Sequence, residues 1–351
     1  MSAVVVSPMV DRKGHQATSP AEMPPRAWKD IVKRTYKRVW DDNVALVSAG
    51  VAFYGFFALL SMLGLIVLVY GFFTDPSSVI DQMRSLTSIL PPDVVVLIGN
   101  QLLTAVHSSQ GTKGLGILVA ILVATYGGTN GAASVITALN IAYEEKEKRS
   151  LFRFYLLAVG LTLGALVVAL AAIAATAAVA YLQHLLPQAG SATVIVGKLV
   201  GYILLALVAA LVASILYRFG PSREDAQWKW ITPGSGFVAI AWLLLTFAFG
   251  FYVAHFTNYH ASYGSLGAVV ALLTWMYLSA YAFVFGAELN SEIEHQTAKD
   301  STTGSPEPMG ERGAWAADNV ASDDTVQDRP EKQREGADLT RAAPKVAKEK
   351  G

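Results

Sequence analysis

The sequence predicts an all-α, polytopic membrane protein: six transmembrane helices, short amphipathic outer helices and disordered cytoplasmic termini. Three observations carry that prediction. The 351 residues are 53% hydrophobic and 15% charged, whereas soluble domains average roughly 25% charged residues. Six long stretches are almost free of charge. In the last of them, Gly264 to Ala287, 24 residues pass without one, and at ~1.5 Å per residue that is about 36 Å of helix against a hydrocarbon core of ~30 Å. Finally, Lys and Arg are concentrated in alternate loops, with only Arg84 and Lys113 in the long 74–113 loop on the other side, the pattern that sets orientation in a bilayer.

Taken in order, residues 1–25 carry Pro8, Pro20, Pro24 and Pro25 among small polar residues and are expected to be disordered. The apolar run Ala3 to Val6 is too short for the core of a signal peptide. Residues 26–42 interleave Arg26, Lys29, Lys33, Arg34, Lys37 and Arg38 with Trp28, Ile31, Val32, Tyr36, Val39 and Trp40. This is a basic amphipathic juxtamembrane helix suited to anionic lipid. The membrane domain follows over 43–296. Its first span covers about 44–73 and ends at Asp75-Pro76. The segment 76–113 holds two apolar stripes, Val79 to Leu90 and Val94 to Val106, divided by Pro91-Pro92. Each stripe is too short to cross, so two outer helices are expected there.

Span two covers about 115–141, with Gly127-Gly128-Thr129-Asn130-Gly131 at its middle, and the charge run Tyr143 to Arg149 follows. Spans three to six cover about 154–182, 200–217, 233–256 and 264–287. Residues 297–351 are Pro, Gly, Ala and charges of both signs; they are expected to form a disordered tail. Segments 26–42, 142–153 and 218–231 hold six, four and three Lys/Arg, while 183–196 and 257–263 hold none. The positive-inside rule therefore puts both termini in the cytoplasm, which an even span count also requires.

The chain has no cysteine and six histidines, so no disulfide framework or local metal-ligand motif is expected, and no cofactor. Glu288, Glu292 and His295 share one helical face, read as a solvated or interfacial face rather than a metal site. Asn130, flanked by Gly127 and Gly128, marks either a polar substrate path or plain helix packing. Asn140 sits near the inner end of span two, where it caps or ties that end. Arg218 and Arg223 open the second inner loop near Pro221, and Thr232-Pro233-Gly234 opens span five. These arginines serve topology or an anion site, and an ion pair of either with Glu288 is expected at the rim. A proton-coupling role for Glu288 is the alternative. Tyr252, His255, Tyr259, His260 and Tyr263 read as an interfacial aromatic belt.

Five stretches resemble the YihY/BrkB family of bacterial inner-membrane proteins: Ala138-Leu-Asn-Ile-Ala-Tyr-Glu-Glu145, Tyr217-Arg-Phe-Gly-Pro-Ser-Arg223, Trp230-Ile-Thr-Pro-Gly234, Asn258-Tyr-His-Ala-Ser-Tyr-Gly-Ser-Leu-Gly267 and Gly286-Ala-Glu-Leu-Asn290. They bring Pro221, Pro233, Gly234, Tyr263, Gly264, Gly267 and Asn290 into the set of motif residues. The resemblance covers roughly residues 30–296, and the tail stretch Pro308 to Ala314 is similar to tails of some members. Two departures lie where a substrate path would run: Ala58-Leu-Leu-Ser-Met62 lacks the proline usual in span one, and Tyr126-Gly-Gly-Thr-Asn130 lacks the Trp-Ser-like pair usual in span two.

The resemblance implies a transporter, a virulence or serum-resistance factor, or a component of lipid and envelope export; the family's old ribonuclease label is widely regarded as a misassignment. The expectation is thus a transporter or translocator of a lipid-like, amphipathic or anionic substrate, with a path lined by spans one, two, five and six. A non-transporting envelope scaffold is the alternative, and a ribonuclease the remote one. The bilayer and its anionic lipids are the expected partners, not nucleic acid; oligomeric and envelope partners stay open.

Overall fold

The computed structural model describes residues 13–73, 110–185, 191–256 and 265–321, and these are all-helical apart from one isolated antiparallel bridge, Ala226 to Thr302. Helix α1, Pro25–Asp41, starts on a proline, whose missing N–H costs little in the first turn. Its apolar residues divide between two faces. Ala27, Ile31, Thr35 and Val39, four apart, are buried, while Val32, Tyr36 and Trp40 are exposed. Asn43 takes a left-handed φ of 51°, which asparagine tolerates better than most residues, and there the chain turns from α1 into α2.

Six long helices follow: α2 Val44–Phe73, α3 Gln110–Ala142, α4 Leu151–Leu185, α5 Ser191–Phe219, α6 Trp228–Phe256 and α7 Ser265–Glu294. Helix α2 packs on α3 and α7, α6 on α5 and α7, and α3 on α4. Among the described residues, five of these helices, α2 and α4 to α7, carry a stretch long and apolar enough to cross a membrane. Leu122, Leu163, Val167, Ile203, Leu207, Leu211, Ile240, Leu244 and Phe251 are each more than half exposed. In water such a belt would be a liability, and in a bilayer it faces acyl chains.

The tightly buried core lies at one end of the bundle. It joins Val39 and Val44 to Ala138, Leu139, Ala142 and Tyr143, to Ala213 and Tyr217, to Ile231 and Val238, and to Val284 and Ala287. A second cluster beside it seats Trp230 and Ile293 against Ala17, Met23, Ala27 and Ile31. The segment that precedes the helices therefore contributes to the core.

Several expected boundaries shift. Helix α5 begins nine residues before the expected Val200, and α7 runs on to Glu294 rather than stopping at Ala287. Residues 13–25 and 297–321, expected to be disordered, are packed: Ala17, Met23, Thr297, Ser301, Ala314, Ala316 and Ala317 are buried. Small residues explain this, because their burial needs little apolar area when backbone groups are paired. The expected outer helices over 76–109, and Tyr263 and Gly264, lie outside the described residues.

Candidate functional site

Pro233 sits inside α6 and supplies no N–H to the helix ladder. Beside that gap, α7 supplies a polar partner. Asn290 accepts the Gly234 N–H at Oδ1 (2.7 Å) and donates from Nδ2 to the Ile231 carbonyl (3.0 Å). This needs the two helices in near contact, and glycine allows it: a Cβ on Gly234 would stand 2.2 Å from the Gly286 carbonyl oxygen, and one on Gly286 would stand 2.5 Å from Tyr217 Oη. Tyr217 donates to the Phe283 carbonyl at 2.6 Å and stacks on its ring. Pro233, Gly234, Gly286 and Asn290 thus form one device.

Beyond Asn290 the last turns of α7 carry charge into the core. Glu292, 1% exposed, accepts Arg34 Nε at 2.5 Å and Arg38 Nε at 2.9 Å. Arg38 also binds Glu144 and lies 3.9 Å from Asp42. Arg34 reaches Gln296 Oε1 at 2.6 Å. Glu294 is fully buried against Arg223 (2.6 Å) and also accepts Ser301 Oγ (2.8 Å). Burial by itself disfavours the Arg223 cation, yet the Glu294 carboxylate outweighs it and holds the guanidinium above its usual value. Tyr143, beneath Arg223 in cation–π contact at 5.0 Å, has its phenol pushed well up by burial, with Glu294 adding to the effect.

The 142–150 and 218–227 loops are tied to each other. Asn140 donates to Glu147 at 2.9 Å and accepts the Ser222 N–H at 2.7 Å. Arg149 donates to the carbonyls of Phe219, Gly220 and Pro221, where the end of α5 leaves acceptors open and its dipole favours a cation. Helix α3 closes on Glu144 at φ 55°, with the Glu145 N–H returning to the Asn140 carbonyl at 2.8 Å.

Residues 297–321 strap across this end. They include the short helix α8, Trp315–Asp318. The Trp315 N–H donates to Glu145 Oε1 at 2.6 Å, and its ring lies beside His295 and under the Arg38 guanidinium, 4.8 Å away. Arg312 gathers the carbonyls of Ala298, Glu307 and Ala317, and the N–H groups of Ala298 and Ala321 reach the His15 and His295 carbonyls.

Of the residues singled out from sequence, the structure brings Asn140, Pro221, Arg223, Pro233, Gly234, Glu288 and Asn290 to this end. The expected pairing of Glu288 with Arg218 or Arg223 is corrected. Arg223 takes Glu294, and Arg218 lies over Trp228 near Asp225. The continuation of α7 places Glu294 rather than Glu288 opposite the 218–227 loop. Glu288 is fully buried, and neither of its carboxyl oxygens has a hydrogen-bond partner.

The Glu288, Glu292, His295 face, expected to be solvated or interfacial, is buried within the packed end. Among the described residues, no three of His, Cys, Asp and Glu gather as metal ligands. Sequence reading passed over Arg34, Arg38 and Trp315 as site residues. The i, i+4 spacing of the two arginines and a lone tryptophan in a polar tail were the available signals.

Asn130 lies elsewhere, half-buried in α3. The glycines around it make close packing: a Cβ on Gly127 would stand 2.7 Å from Ser61 Oγ, and one on Gly128 would stand 2.5 Å from Thr162 Cγ2. Gly267 falls in the first turns of α7. A groove of about 420 Å³ opens instead between α5 and α6, lined by Tyr202, Leu205, Leu243, Thr246, Phe247, Gly250 and Phe251. The Tyr202 and Phe247 rings meet edge to face at 4.8 Å, and the Thr246 hydroxyl is buried there without a partner.

Comparison with known proteins places these features in one family. The chain is 27% identical over 264 residues to a UPF0761 membrane protein of Pseudoalteromonas atlantica, covering 71% of this chain and 84% of the relative. It is 29% identical over 189 residues to YfkH of Bacillus subtilis (strain 168), which is named as ribonuclease-like, covering 53% of this chain and 68% of that one. A Chromohalobacter salexigens UPF0761 membrane protein is 29% identical over 150 residues, or 43% of this chain and 36% of the relative. No solved structure matches. The family described as virulence factor BrkB matches residues 35–310, a range that takes in the last turns of α1, all six long helices and the first part of the strap, and the chain belongs to that family.

Proposed function

We propose that this protein moves a lipid-like, amphipathic anion across the bacterial inner membrane. The observation that carries the reading is the groove between α5 and α6, which lies within the stretches of those helices that are apolar enough to cross a membrane. It is apolar apart from the Tyr202 and Thr246 hydroxyls, so it suits an acyl chain better than a hydrated solute. In this reading α3 crosses as a sixth span and the positively charged loops face the cytoplasm, putting both termini there. The exposed face of α1, with Lys29, Lys33 and Lys37 beside Tyr36 and Trp40, then rests on anionic headgroups.

Translocation is preferred to nuclease chemistry because the arginines gathered at the packed end are matched with carboxylates. Arg34, Arg38 and Arg223 are engaged by Glu292, Glu144 and Glu294 rather than open to phosphates. A second reading, a non-transporting envelope scaffold, is favoured by the Gly127 and Gly128 contacts that close α3 onto α2 and α4.

The test is lipid scrambling in reconstituted vesicles, with fluorescent anionic and zwitterionic lipids and a membrane-impermeant quencher. Wild type should move the anionic probe, Gly250→Leu should lose at least ten-fold by filling the groove, and Asn130→Ala should stay near wild type. Vesicles with wild-type protein that behave like empty ones would leave the scaffold ahead.

A further inference from the structure

We propose that Glu288 is a proton-binding site, a carboxyl that carries its proton inside the packed end of the bundle and releases it when that end opens. It deepens the translocation reading only in naming what would drive transport; the site itself stands on geometry.

The other carboxylates on this part of α7 are matched. Glu292 holds Arg34 and Arg38, and Glu294 holds Arg223 and Ser301. Glu288 is fully buried with both oxygens unpartnered. An ionised carboxylate so placed is strongly disfavoured, whereas the neutral acid carries little of that cost.

The groups facing it cannot neutralise a further anion. From α1 come Arg38 and, at the turn into α2, Asp42; from the end of α3 come Tyr143 and Glu144; α7 itself adds Glu292 and His295. The ionisable group α6 has at this end, Lys229, is exposed. Arg34 and Arg38 already serve Glu144, Glu292 and Asp42, and the His295 ring lies 3.4 Å from Glu292. A charged Glu288 would add one more anion to a set in which carboxylates outnumber guanidiniums.

The same placement supplies an exit. On release the O–H bond of Glu288 breaks, its electron pair stays on the carboxylate, and the proton passes to the Asp42 carboxylate at the α1–α2 turn and then to water. Arg38, shared among Glu144, Glu292 and Asp42, is the cation within reach to answer the new charge. It would do so by giving up Glu144, which loosens α1 from the end of α3. Hydroxyls of Thr35, Ser48 and Tyr143, on the elements that meet here, are also buried without partners and are available to such a carboxylate.

The test is infrared difference spectroscopy of the full chain in lipid nanodiscs during a pH titration. Wild type should show the C=O stretch of a buried carboxylic acid at neutral pH. Glu288→Gln should lack that band, and Glu292→Gln should retain it. Glu288→Gln should also fold with unchanged melting temperature, since an amide imitates the neutral acid. Identical wild-type and Glu288→Gln spectra, or a Glu288→Gln variant that fails to fold, would overturn the proposal. The band present without lipid scrambling removes the translocation reading and keeps the proton site; scrambling without the band does the reverse.

Discussion

Asn290 ties α7 to α6 beside Pro233, through paired contacts to the Gly234 N–H and the Ile231 carbonyl. These groups are buried, so truncation orphans the Gly234 N–H at about 1–3 kcal/mol, while the Ile231 carbonyl keeps the Ser235 hydroxyl at 2.8 Å. Asn290→Ala is expected to lower the melting temperature in detergent clearly, and Asn290→Asp to recover part of the loss by keeping the acceptor for Gly234. Gly234→Ala should be worse than either, because its Cβ meets the Gly286 backbone at 2.2 Å, which no rotamer can relieve. Wild-type melting for Gly234→Ala would show that α6 and α7 are not in this contact.

Arg223 and Glu294 form an almost fully buried pair. Removing one partner leaves an isolated charge, at about 3–5 kcal/mol, whereas replacing both with apolar residues is often neutral. Arg223→Met and Glu294→Leu alone should each destabilise strongly, and together they should recover most of the loss. A double-mutant cycle read by thermal melting measures the coupling. Additive effects would mean the pair does not exist.

The long apolar helices were legible because hydrophobicity over some twenty residues is a strong local signal. The motif residues were legible for a different reason: Pro233, Gly234 and Asn290 belong to types that backbone geometry constrains. Which arginine meets which carboxylate was not legible. A pair such as Arg34 and Glu292 is separated by 258 positions, and only the fold brings its members together. The tail misled through composition. Sparse large apolar residues suggested disorder, but Trp315, Arg312 and a series of backbone hydrogen bonds order residues 297–321 on a surface that other elements had already built.

Asp300 anchors the strap and makes it acid-sensitive. Partial burial works against its carboxylate, but the Glu307 N–H and the Thr302 hydroxyl and N–H outweigh that and hold it below the ordinary aspartate range. A depressed folded value means the contribution is complete above the unfolded value, about 3.9, and is lost as pH falls through the lower folded one. Protease cleavage within 300–318 should therefore be slow at neutral pH and should accelerate below about pH 4. Asp300→Asn should cleave faster at neutral pH and show a weaker acid dependence. Equal cleavage of the two proteins across that range would exclude Asp300 as the anchor.

The exposed face of α1 gives the last prediction. Its inner face is fixed by Ile31 and Val39 in the core and by Arg34 and Arg38 on Glu292. Lys29, Lys33, Lys37, Tyr36 and Trp40 are therefore presented as a rigid set, with the Tyr36 and Trp40 rings 6.2 Å apart. Each Lys near an anionic surface contributes about 1 kcal/mol, screened within a Debye length of ~8 Å at physiological salt. Replacing Lys29, Lys33 and Lys37 with Gln should leave melting unchanged, since none is paired in the core. It should reduce the retention of fluorescent anionic lipid around the purified protein, most clearly at low salt. Trp40→Ala should weaken retention of anionic and zwitterionic lipid alike, because an interfacial ring is indifferent to headgroup charge. If the triple lysine variant retains anionic lipid as wild type does at low salt, the face does not read charge, and the arginines of the buried face would have to be tested next.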